Sequence, residues 1–130
     1  MPNLPKQPRP TDKHTIRRAL ADEHNACRRA RTAGDAVAEW DHLERAHILS
    51  QPLAVAHIRA HLAMLGYAIR QRDRREITGQ LTRLLVAGPG SMIGRYPLGN
   101  TGGADVSAVT PMPIPAALEA VLRGALAVSS

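Results

Sequence analysis

The chain has 130 residues, 44% of them hydrophobic and 22% charged, with a formal net charge of +6 that comes mostly from arginine. That length suits one domain able to bury a core, and no apolar run approaches the roughly 18 residues that a membrane-spanning helix needs. A single cysteine, Cys27, excludes an internal disulfide and a cysteine-rich zinc site.

Trp40, Tyr67 and Tyr96 are the aromatic residues, and phenylalanine is absent. So few rings argue against stacking-based recognition of single strands or RNA, and a core of Ala, Leu, Ile and Val suits closely packed helices. A charge of +6 attracts polyanions. However, the arginines (Arg17-Arg18, Arg28-Arg29, Arg31, Arg70, Arg72, Arg74-Arg75) are dispersed and interleaved with acids. A solvated basic surface is therefore favoured over a dedicated nucleic-acid face.

In chain order, residues 1–10 (MPNLPKQPRP) are proline-rich and polar, without the apolar stretch of a signal peptide. They read as a flexible lead-in to a single cytoplasmic helical domain over 11–130. A first helix is predicted from Thr11 or Asp12, either of which can cap it, to about Arg31. Its stripe is Ile16, Ala19, Leu20, Glu23, Cys27 and Ala30. Gly34-Asp35 ends it and caps a second helix, about Ala36 to Leu49. Gln51-Pro52 breaks the chain, and a third helix runs from Pro52 to about Arg70. A fourth, about Asp73 to Ala87, is expected to turn Ile77, Leu81, Leu84 and Leu85 inward and to stop at Gly88-Pro89-Gly90. Residues 88–115 form a long Gly/Pro-rich loop, and a short last helix covers about Ala116 to Ala127. The expected fold is all-α: a four-helix antiparallel bundle-like domain with that loop and a short C-terminal helix.

The second and third helices hold an unusual constellation. On a helical wheel Trp40, Leu43, Glu44, His47 and Gln51 share one face, while Asp41, His42 and Arg45 point away. In the third helix His57 and His61 share a face with Ala54, Met64, Leu65 and Ala68. Glu44 and His47 are spaced i, i+3, and His57 and His61 i, i+4, so each pair covers one spot on its helix. Ligand-type residues thus lie on faces that the apolar residues mark as core. Bundles build metal sites in this way, and an ion offsets the cost of burying carboxylate and imidazole.

A nitrogen and oxygen donor set without thiolate fits a divalent Fe, Mn, Zn, Ni or Co ion. A hairpin centred on Ser50-Gln51 sets Glu44 level with His57 and separates His47 from His61 by roughly 10 Å along the axis. Either a three-ligand subset centred on Glu44 and His57, or two ions sharing Glu44, is then expected. Glu23, His24 and Cys27 are candidate additional ligands from the first helix. The bland alternative is a structural polar core of histidines bonded to Glu44, Gln51 and carbonyls. Haem is disfavoured, because short helices without phenylalanine offer little wall for a porphyrin.

YPLGNTGGADVS, residues 96–107, matches neither a Walker A loop nor a dinucleotide fingerprint. It reads as a lid over the site, with Gln51, Tyr96, Asn100, Thr101, Gly102 and Gly103 as candidate substrate or lid residues. A plain connector is the alternative. Nothing local marks Cys27 as an activated thiolate, so it reads as a small buried hydrophobe.

HLERAHILSQ with HIRAHLAML, followed by EITGQLTRLL, YPLGNTGGADVSAV and PMPIP, resembles a family of small bacterial proteins known only as a domain of unknown function. The likeness runs from about Ala36 to Ala117. It implies a small bacterial helical protein, with some members in the neighbourhood of metal-resistance genes, and it carries no catalytic roles. The reading is a metal-binding helical protein, with an ion held by a subset of Glu44, His47, His57 and His61 under the glycine-rich loop. Whether it is a small metalloenzyme acting on a small-molecule substrate stays open. One alternative is a non-catalytic buffer or sensor in metal homeostasis or resistance. Another is a basic adaptor for nucleic acid or a protein partner. A homodimer is an expected assembly, and no membrane partner is.

Overall fold

The structure, a computed structural model, describes residues 12–92 and 112–127, with side chains over 13–85 and 112–122. Five helices account for nearly all of it: α1 (Asp12–Ala33), α2 (Ala36–Ser50), α3 (Ala54–Gln71), α4 (Arg74–Met92) and α5 (Ala116–Ala127). No strand occurs among the described residues, so the fold is all-α.

Local chemistry sets each turn. At Gly34 φ is +74°, a left-handed conformation that costs glycine little. Asp35 then caps α2, its Oδ1 accepting the Ala38 N–H at 3.0 Å. The α3–α4 turn places Arg72 in the left-handed region (φ 56°), where its N–H and that of Asp73 donate to the Ile69 and Ala68 carbonyls. Asp73 caps α4 by accepting the Glu76 N–H at 3.0 Å.

The expected stripe of α1 faces inward, with Ile16, Leu20 and Ala30 buried and Ala19, Glu23 and Cys27 half-buried. Ile16 and Leu20 join Ala46, Ile48, Leu49, Leu53 and Leu118 in one apolar cluster, and Ile114, Val121 and Leu122 pack against it. Through these residues α5 rests on α1 and α2. A second cluster, polar and buried, lies where α2, α3 and α4 meet.

Two expectations for the fourth helix need correction. It does not stop at Gly88-Pro89-Gly90 but continues through them to Met92. Proline lacks only one helical N–H, so the helix survives it at the loss of one hydrogen bond and a local clash. Its inward face is also different. Leu81 and Leu85 are 48% and 80% exposed, whereas Gln80 and Arg83 are 0% and 5% exposed. The polar row Glu76, Gln80, Arg83 turns inward because its partner, the His61 side of α3, is itself polar. Ile77 and Leu84 are half-buried at its margins. The lead-in and the lid residues Tyr96, Asn100, Thr101, Gly102 and Gly103 lie outside the described residues.

Candidate metal centre

His47 sits in the last turn of α2, and His57 and His61 in the first two turns of α3. All three are buried, at 1–2% exposure. Their Nε2 atoms converge: His47 to His57 at 3.0 Å, His47 to His61 at 3.1 Å and His57 to His61 at 3.2 Å. The rings meet edge-on or tilted, with centroids 4.6–4.8 Å apart, so the nitrogens rather than the ring faces point at the common centre. Among the described residues these three form the group of ligating atoms close enough to share one ion.

That closeness corrects the expected axial gap between His47 and His61. The chain turns over Gln51–Leu53, so the hairpin is centred on Pro52 and not on Ser50-Gln51. A shift of one and a half residues in the centre moves every cross-helix partner by three. His57 therefore faces His47 in place of Glu44, and the Tyr67 hydroxyl, donating to the Ala36 carbonyl at 3.0 Å, keeps nearly the same register further along. His61, one turn beyond His57, reaches back to the same point because helical side chains lean toward the N-terminus.

Surrounding groups fix the trio. His61 Nδ1 contacts Gln80 Oε1 at 2.8 Å, and Gln80 Nε2 donates to Glu76 Oε1 at 2.7 Å. His57 Nδ1 is buried without a hydrogen-bond partner. Burial, and then the neighbouring His61, push the His57 imidazole down from 6.5 to about 4. Burial also lowers His61, against the hydrogen bond to Gln80 Oε1, with the Arg83 guanidinium lowering it further. Both effects favour neutral rings, the form in which imidazole binds a metal.

The other candidates lie elsewhere. Glu44 is half-buried one turn before His47 and is not in the trio. Glu23 is engaged by His42 Nδ1 at 2.7 Å and by Arg45 Nε at 2.9 Å, tying α1 to α2. His42 and Arg45 are therefore half-buried partners of an acid, not the solvent-facing residues expected from the wheel, while Asp41 is exposed as expected. Their ring and guanidinium point toward α1, a neighbour that a wheel of α2 alone does not contain. Cys27 Sγ donates to the Glu39 carbonyl at 3.8 Å, and burial first, then Glu39, push its thiol up, away from an activated thiolate. His24 is exposed on α1. Gln51 is fully buried in the turn that links the histidine-bearing helices.

Sequence reasoning missed Gln80 and Glu76, which stand i, i+4 in EITGQL; a glutamine interrupting an apolar period was the available signal. It also missed Glu39, buried at 4% exposure and bonded to Arg70 across α2 and α3, with the Arg70 guanidinium over the Tyr67 ring.

Nothing among the curated proteins or the solved structures matches the chain. One family does, over residues 14–122, from α1 into α5 and across every residue of the histidine centre. The chain belongs to the family described as Protein of unknown function (DUF3703).

Proposed function

We propose that the chain binds a divalent transition-metal ion through Nε2 of His47, His57 and His61. The observation that carries this reading is the closed triangle of Nε2 contacts at 3.0, 3.1 and 3.2 Å. Each Nε2 either donates through its one hydrogen or accepts through its lone pair. In a ring of three, two neighbours must be alike, so no protonation pattern makes all three contacts hydrogen bonds. At least one pair sets two N–H groups or two lone pairs against each other, in an interior that screens them poorly. A cation accepting three lone pairs removes the conflict.

The size also fits. With metal–nitrogen bonds of about 2.0–2.1 Å, these edges subtend about 90–105° at an ion about 1 Å above the nitrogen plane, between octahedral-facial and tetrahedral values. Such an ion keeps coordination positions on its far side. Three imidazoles without thiolate suit Zn, Fe, Co, Ni or Mn. Exposure of 1–2% at each ring favours holding or sensing the ion over turnover of a bulky substrate.

Elemental analysis of untagged protein tests the reading. About one equivalent of metal, taken up on reconstitution and lost in His57→Ala but kept in His42→Ala, is expected. Metal well below one equivalent after reconstitution, or equal loss in both variants, would sink it.

A further inference from the structure

We infer that Gln80 and Glu76 of α4 are positioning residues that set the tautomer of His61, so that its Nε2 lone pair is already bare and aimed at the centre before any ion arrives. The deduction starts at the outer end. A Glu76 carboxylate only accepts, so the 2.7 Å contact obliges the Gln80 amide nitrogen to donate to it. That fixes which way round the amide lies and leaves Gln80 Oε1, an acceptor only, against His61 Nδ1 at 2.8 Å. His61 Nδ1 must therefore carry the ring proton, and a neutral ring then has none on Nε2. A fully buried Gln80 has little freedom to turn over, and reversing its amide would set oxygen against oxygen at Glu76, which no change of tautomer at His61 relieves.

The chain Glu76–Gln80–His61 thus does for one ligand what outer partners do in metal sites generally: it fixes ring orientation and tautomer and raises the donor's basicity. It also explains why a helix with available leucines turns a glutamine inward. This inference rests on the metal reading for its purpose but not for its test. Glu76, half-buried, lines a surface cavity of about 320 Å³ with Trp40, Tyr67, Asp73 and Arg75, so the outer end of the chain meets solvent while the inner end does not.

Two-bond ¹H–¹⁵N correlation spectra of the metal-free full-length protein read the tautomer directly, with the His61 signals identified by their loss in His61→Asn. The wild type should show His61 protonated at Nδ1. Gln80→Leu, which removes the acceptor, should shift His61 toward protonation at Nε2. Glu76→Gln, at a half-buried position that tolerates the change, should give a mixture, because the amide at 80 is then free to reverse. In zinc titrations Gln80→Leu should bind roughly 10–100-fold more weakly. His61 protonated at Nε2 in the wild type, or a tautomer that neither Gln80→Leu nor Glu76→Gln moves, would overturn the inference. If His61 is Nδ1-protonated yet zinc does not bind, the metal reading fails and the relay stands. If zinc binds while His61 carries its proton on Nε2, the reverse holds.

Discussion

His57 concentrates the energetics of the centre at the residue scale. Its imidazole is buried, its Nδ1 has no hydrogen-bond partner, and its proton affinity is depressed from 6.5 to about 4. Between those two values the unfolded chain binds a proton that the folded one excludes, so stability falls as pH drops through this window and levels off below it. The loss amounts to roughly 3 kcal/mol for this one group. Urea midpoints of the metal-free protein at pH 7 and pH 4.5 should differ accordingly, and His57→Leu should flatten the difference. Bound metal should leave at or below the lower edge of this window, where the folded ring itself begins to take the competing proton. An acid-insensitive midpoint would mean that the ring is charged or solvated in the fold.

The elements show where helical periodicity sufficed and where it did not. Gly34-Asp35 and the stripe of α1 were legible, since a left-handed glycine, a capping aspartate and an apolar row act within one helix. The turned face of α4 was not, because its inward residues answer to His61 on another helix. Leu85→Gln, at a position 80% exposed, should change stability by less than about 0.5 kcal/mol. Leu49→Ala, at 0% exposure, should cost about 2–5 kcal/mol. Paired denaturant melts of the two variants check the contrast, and a large loss in Leu85→Gln would restore the apolar face to the interior. Arg72, in the left-handed region with φ 56°, is a site where glycine should add roughly 0.5–1 kcal/mol. A lower midpoint for Arg72→Gly would refute that.

At the scale of the whole molecule, the centre ties α2, α3 and α4 together, while the apolar cluster joins α1, α2 and α5. An ion that binds only the folded chain stabilises it by about 2.7 kcal/mol at a hundredfold excess over Kd. Thermal melts with zinc and with chelator should therefore separate by roughly 5–15 °C. No separation, with metal shown to be bound, would mean that the unfolded chain binds the ion as well as the folded one does. The net charge of +6 is spread over the chain, and no described helix is long and apolar enough to cross a membrane.

The sequence by itself determined that the chain is helical, where the α1–α2 and α3–α4 turns fall, and that His47, His57 and His61 lie on inward faces. Capping, left-handed turns and helical periods are local, acting within a few residues. Only the tertiary structure decided which of the ligand-type residues meet. A shift of one and a half residues in the centre of one hairpin exchanged Glu44 for His47 opposite His57 and closed three imidazoles into a triangle. It also brought in Gln80 and Glu76, whose part depends on a helix about twenty residues further along the chain.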